Sequence, residues 1–188
     1  QGREGGRFAS GAQSPFLRPA VEFALTTAMR QGEIAELRWE NVDLQSRVAK
    51  LPMTKNGTAR SVPLSSAAAA VLEALKGKAQ ASAKGAVVSL PRGLVFKITA
   101  NAIKIGFSRA VKRGRKSYEK ACEAAGEQAD PRLLVDLRFH DLRHIATTRL
   151  AEKLPNVIEL ASVTGHKDLR MLKRYYHPRA EDLAKKLG

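Results

Sequence analysis

The segments FHDLRHIATTRL (residues 139–150) and TGHKDLRMLKRYYHP (residues 164–178) decide how the rest of the chain is read. They hold all four histidines, His140, His144, His166 and His177, and two of the three tyrosines, Tyr175 and Tyr176. On a helix, His140 and Arg143 stand one turn apart and share a face. Arg143 can offer a planar fork of donors to two phosphate oxygens, and His140 can donate to a third or accept a proton. The tyrosines lie in a basic run, LKRYY. A phenol titrates near ~10, so at neutral pH it attacks only with help, which positive charge and a nearby imidazole can supply. Arginine for fixed charge, histidine for proton handling and tyrosine as an oxygen nucleophile suit phosphate chemistry.

The bulk numbers agree. A net charge of +15 and a pI near 10.4 call for a polyanion, with nucleic acid the first candidate. The 188 residues suit one domain, and 44% hydrophobic content suffices for a core. No apolar run approaches the ~18 residues of a membrane span, and the N-terminus is polar rather than a signal peptide. The single cysteine, Cys122, excludes an internal disulfide framework and fits a reducing compartment, so a cytoplasmic location is expected.

Upstream, residues 1–14 (QGREGGRFASGAQS) read as a flexible N-terminal end or linker remnant, and residues 15–188 as one domain. Phe16, Ala20, Phe23, Ala24 and Thr27 form a helical stripe that ends near Met29, and Arg30 follows it. Trp39 to Val42 reads as a short strand. Val48 to Met53 and Ala59 to Leu64 read as strands flanking Asn56-Gly57, a strong hairpin signal. Ser65 caps a helix that should end near Gly77. Val87 and Val88 suggest a brief strand. Asn101 to Ala125 reads as a long helix, bent near Gly114, with a basic cluster of Lys112, Arg113, Arg115 and Lys116. Asn156 to Val163 forms a short helix closed by Gly165, Asp168 starts the helix of Tyr175, and residues 179–187 form a last amphipathic helix striped by Leu183 and Leu187.

Four motifs in order carry a family resemblance. HDLRH, then Gly165-His166, then a tyrosine nine residues after His166 resembles the catalytic half of a tyrosine recombinase, of the phage integrase family. ALTTAMRQGEIAELRWENVDL (residues 24–44) resembles that family's first arginine motif, with Arg30 and Glu33. TKNGTARSVPL (residues 54–64) resembles its lysine-bearing hairpin, with Lys55. The resemblance runs from about Phe16 to the C-terminus. It implies an α+β, mostly helical fold with a small antiparallel three-stranded sheet at one edge. Such proteins usually carry a DNA-clamping domain before the catalytic one, so the chain is expected to be a fragment.

The resemblance implies a site-specific recombinase or integrase that cuts and rejoins double-stranded DNA without ATP, cofactor or metal. Tyr175 would attack the scissile phosphate to give a 3′-phosphotyrosine and a free 5′-hydroxyl. Arg30 and Arg143 would stabilise the phosphorane, and His140 would accept or relay the tyrosine proton. His166 would hydrogen-bond a non-bridging oxygen, and Lys55 would protonate the leaving oxygen. Glu33 and His177 would support the site. Arg60, on the far arm of the hairpin, cannot give up a proton near neutrality, so Lys55 is the better candidate acid. Arg60, Lys112, Arg113, Arg115 and Lys116 are candidate DNA contacts. A homotetramer on DNA, joined through the C-terminal helix, is implied as well. The family spacing from His166 selects Tyr175 over Tyr176.

Some positions depart from the family's usual pattern. Thr164 stands where an apolar residue usually precedes Gly-His, Met171 and Leu172 replace hydroxyl residues, and Ile145 replaces a small hydroxyl residue. Other readings stand beside the resemblance. A type IB topoisomerase uses the same chemistry to relax supercoils. His140 and His144 also have the i, i+4 spacing of a zinc hydrolase helix, though Asp141 replaces the glutamate base and Arg143 would crowd the metal with positive charge. A DNA-binding module without chemistry would suit the charge but not the ordered set of Arg, Lys, His and Tyr.

Overall fold

The computed structural model describes residues 14–52, 59–81, 91–176 and 180–188, apart from the side chains at 80, 81, 182, 183 and 186. Lys55, Asn56-Gly57, the suggested strand at Val87 and Val88, His177 and the Leu183 side chain lie outside the described residues. Among the described residues seven α-helices, α1 (Leu17–Thr27), α2 (Gln31–Glu36), α3 (Ser66–Ala81), α4 (Ala100–Ala125), α5 (Asp141–Lys153), α6 (Val157–Thr164) and α7 (Ala180–Leu187), accompany three short strands. The strands β1 (Val42–Asp43), β2 (Val48–Leu51) and β3 (Arg60–Pro63) form one antiparallel sheet in the order β1-β2-β3. The fold is therefore mostly helical with a small three-stranded sheet, as the resemblance implies.

The predicted apolar stripe is the core face of α1, where Ala20, Phe23, Ala24 and Thr27 are buried. Phe23 meets Phe96 at 5.3 Å between ring centroids, and Phe107 meets Phe139 edge-on at 5.6 Å. Met29, Ile34, Leu37, Leu72 and Ile103 fill the space around them. A substitution such as Phe23→Ala would cost about 3–5 kcal/mol through lost burial and a cavity. A second apolar cluster joins Ala151 of α5, Leu160 and Ala161 of α6, and Leu172. The C-terminal segment is thereby packed against the two helices that precede it.

Local chemistry explains the helix ends. The hydroxyl of Ser65 accepts from Ala68 N at 3.2 Å, and that of Thr99 accepts from Ala102 N at 3.1 Å. Asn156 starts α6 by accepting from Ile158 N, and Gly165 ends it with φ of 72°.

Two expectations are corrected. Trp39–Asn41 is a 3₁₀ turn, and the strand begins only at Val42. Helix α3 continues past Gly77 to Ala81, since a single exposed glycine costs only about 1 kcal/mol relative to alanine. Helix α4 spans Ala100–Ala125 as expected, and at Gly114 the small residue admits Leu134: a Cβ there would lie 3.3 Å from Leu134 Cδ1.

The segment after Asp168 also differs in kind. Leu169–Tyr175 is a 3₁₀ helix rather than an α-helix, started by Asp168 accepting from Arg170 N at 2.9 Å. With ~3 residues per turn, Leu172 and Tyr175 fall on one side. Leu172 is fully buried, so it anchors the turn that presents Tyr175.

Candidate functional site

Arg143 is the centre of the site. It lies on the first turn of α5 and is only 5% exposed. Its Nη1 donates to the carbonyl of Ala28, and its Nη2 donates to the carbonyl of Thr164 at 2.7 Å. Ala28 ends α1 in the left-handed conformation, with φ of 53°. Among the described residues no carboxylate lies within ion-pair distance of Arg143. Burial, and then the repulsion of Arg30, pull its pKa down to about 10, so it remains a cation at neutral pH. A buried cation held by two carbonyls and an imidazole, with no carboxylate beside it among the described residues, is poised to receive an anion.

Arg30 stands beside it and is half exposed. Its Nη1 donates to Glu33 Oε1 at 3.0 Å and its Nη2 to the carbonyl of Gly165 at 3.0 Å. Glu33 is buried and accepts from Arg30 N at 2.7 Å. Burial alone would push its carboxyl up, but hydrogen bonds from Arg60 and Arg30 outweigh that and hold it below the ordinary carboxylate range.

Arg60 is turned inward, toward Glu33. Its Nη1 and Nη2 donate to the two Glu33 oxygens at 2.7 and 2.8 Å, and its side chain is 12% exposed. Its guanidinium passes so close to Gly165 that a Cβ there would lie 2.8 Å from Arg60 Cζ. Arg115 is also engaged within the chain. It donates to Glu119 at 2.6 Å and to the carbonyls of Asp130 and Leu133, so it holds the loop after α4. Lys112, Arg113 and Lys116 are exposed on α4.

His166 follows the Gly165 cap. Thr164 Oγ1 donates to the carbonyl of Leu160 at 2.7 Å and lies 2.7 Å from His166 Nδ1. With its one proton committed, the hydroxyl accepts from Nδ1–H. His166 Nε2 then faces Arg143 Nη2 at 3.4 Å with its lone pair. Burial first, then the positive charge of Arg143 and Arg30, lower the His166 pKa to about 4, so the ring is neutral at pH 7. The Thr164 departure thus has a structural use: its carbonyl holds Arg143 and its hydroxyl orients His166.

The two tyrosines separate. The Tyr176 hydroxyl donates to the carbonyl of Leu154 at 2.6 Å and packs in the second apolar cluster. The Tyr175 hydroxyl instead lies 2.6 Å from His144 Nδ1. Arg174 Nη2 stands 3.2 Å from both of those atoms, and its guanidinium carbon lies 5.2 Å from the centre of the Tyr175 ring. His140, expected as the tyrosine's proton partner, is one ring away, edge-on to His144 with centroids 5.4 Å apart. Burial, with the charges of His144 and Arg143, lowers the His140 pKa.

The structure therefore brings together Arg30, Glu33, His140, Arg143, His166 and Tyr175 from α1–α2, α5, the end of α6 and the final 3₁₀ helix. It adds His144 and Arg174, which sequence reasoning passed over. His144 was visible as the second histidine of HDLRH, one turn after His140. Arg174 was visible only as the neighbour of Tyr175.

A mostly helical domain with a small edge sheet, a buried arginine beside a half-exposed one, and a tyrosine facing an imidazole defines the catalytic domain of a tyrosine recombinase. The chain belongs to the phage integrase family, which it matches over residues 9–182. It is 42% identical over 165 residues to a shufflon-specific DNA recombinase of Escherichia coli, spanning 87% of this chain and 35% of that protein. It is 38% identical over 165 residues to a putative integrase/recombinase of Haemophilus influenzae, spanning 88% of this chain and 44% of that protein. The chain thus spans less than half the length of these relatives. In fold it is similar to the Tn1549 transposon integrase solved with transposon right-end DNA, with TM-score 0.63, 22% identity, and 92% and 58% of the two chains covered. It is also similar to the catalytic domain of bacteriophage HP1 integrase, with TM-score 0.54, 21% identity, and 94% and 83% covered. Family membership sets aside the zinc hydrolase reading, and His144 Nδ1 is already engaged with Tyr175 and Arg174.

Proposed function

We propose that this chain is the catalytic part of a site-specific DNA recombinase that breaks and rejoins strands through a 3′-phosphotyrosine. The observation that carries the proposal is the buried, carboxylate-free guanidinium of Arg143 in the same site as the inward-facing hydroxyl of Tyr175. A scissile phosphate would supply the anion that Arg143 lacks. Arg30, half exposed beside it, would take a second non-bridging oxygen.

Tyr175 Oη would bond to phosphorus as the bond to the 5′ oxygen breaks, with Lys55 giving that oxygen its proton. Two fixed guanidinium groups would meet the extra charge of the pentacoordinate phosphorane. The bond energy is kept in the tyrosyl ester, so rejoining needs no ATP. His166 would donate to a phosphate oxygen once an incoming anion favours protonation of Nε2. His140 would contact another oxygen.

The exposed Lys112, Arg113 and Lys116 would follow the DNA backbone, whose contacts position without specifying sequence. The recombinase and integrase names of the relatives favour exchange between two sites over relaxation of one duplex. Exchange between two duplexes calls for a homotetramer, and α7, with Leu187 88% exposed, is the segment we expect to join the copies. The work would take place in the cytoplasm, where the DNA is.

The test uses a nicked duplex carrying the ends of the DNA element that encodes the protein. The loss of the short strand beyond the nick should trap the covalent adduct. Absence of any protein–DNA adduct with the intact protein would remove the proposal.

A further inference from the structure

We propose that His144, and not His140, is the base that takes the proton of Tyr175, with Arg174 holding the pair in register. The inference rests on the reading of Tyr175 as nucleophile and gives that reading its missing proton acceptor.

The direction of the hydrogen bonds follows from the donors. Arg174 has no acceptor, so its Nη2, 3.2 Å from both His144 Nδ1 and Tyr175 Oη, must face a lone pair on each. If Nδ1 carries a lone pair, the 2.6 Å contact between Nδ1 and Oη is bridged by the tyrosine's own proton. The resting arrangement is therefore Oη–H donating to Nδ1. The His144 and Tyr175 rings stack with 26° between their planes, which keeps the two atoms facing each other. Helix α5 fixes His144 one residue after Arg143, so the base and the phosphate-binding arginine share one rigid element.

The step balances. The Oη–H bond breaks and its proton goes to Nδ1, making an imidazolium. Oη bonds to phosphorus, the bond to the 5′ oxygen breaks, and that oxygen takes a proton from Lys55. In rejoining, a 5′-hydroxyl gives its proton back to Lys55 as its oxygen bonds to phosphorus, the bond between Oη and phosphorus breaks, and the imidazolium returns its proton to Oη. The groups facing His144 are His140 on its own segment, Arg174 and Tyr175 on the 3₁₀ helix, and His166 after α6.

The test measures single-turnover adduct formation on the nicked duplex, with oxygen or sulfur at the scissile 5′ bridging position. A thiolate leaves without a proton, so sulfur relieves a missing acid but not a missing base. His144→Asn keeps an acceptor near the Nδ1 position without its basicity. It should slow adduct formation about 10²-fold or more on both substrates, flatten the rise of rate with pH, and leave DNA binding unchanged. Lys55→Ala should be slow on oxygen and recover on sulfur. The proposal fails if His144→Asn cleaves within a few-fold of the parent, or if sulfur repairs it. Parent-level DNA binding shows that the variant is folded; if it is lost, His144→Gln is measured against the same criteria. A parent that forms its adduct through another residue overturns the Tyr175 reading itself, a result distinct from a normal adduct with an unaffected His144 variant.

Discussion

The guanidinium of Arg60 straddles the carboxylate of Glu33, Nη1 to Oε1 at 2.7 Å and Nη2 to Oε2 at 2.8 Å. The pair ties the first residue of β3 to the helix that follows Arg30. Both side chains are largely buried, so removing Arg60 takes the two-pronged donor from a buried carboxylate and leaves it only Arg30. Arg60→Ala should lower unfolding stability by about 3 kcal/mol, read by denaturant titration.

The same pair sets a pH dependence. The folded Glu33 carboxyl ionises below its unfolded value, so its stabilisation is fully present above ~4.3 and is lost as pH falls through the lowered folded value. Acid titration of stability should be steeper in this window for the parent than for Glu33→Gln.

Gly165→Ala should be destabilised by about 1–3 kcal/mol, because φ is +72° and the new Cβ would lie 2.8 Å from Arg60 Cζ. Its cleavage should fall as well, since the Gly165 carbonyl holds Arg30. Thermal unfolding and adduct formation measure the two effects separately.

His166 should remain neutral, with its proton on Nδ1, down to pH ~5, because its pKa is about 4. Nitrogen-15 NMR of the imidazole reads this directly. Thr164→Val removes the hydroxyl that accepts from Nδ1–H, so the Nε2–H tautomer should gain population.

Arg143→Lys should slow adduct formation by at least ~10²-fold while DNA still binds, because a point charge cannot reach two oxygens in the plane of the fork. Its buried stem would also leave the Ala28 or Thr164 carbonyl unsatisfied.

Much of this was legible from residue types and spacing. Asn56-Gly57 between alternating residues marked β2 and β3, Ser65 and Asn156 marked helix starts, and HDLRH with Gly165-His166 marked the site. Partners across long separations were not legible. Nothing local distinguishes Arg60, whose carboxylate is 27 residues away, from a DNA-facing arginine. Arg115 closes a loop through carbonyls 15 and 18 residues on, which side-chain type cannot announce. His140 and His144 both suit a proton acceptor by spacing. The geometry of the 3₁₀ helix, anchored by Leu172, brings Tyr175 to His144 rather than to His140.

The identity of the residue linked to DNA in the trapped adduct tests the central claim most directly. Peptide mapping should find the 3′-phosphate on Tyr175, with the adduct lost in Tyr175→Phe and kept in Tyr176→Phe. Linkage through Tyr176, or an adduct that survives Tyr175→Phe, would contradict the account.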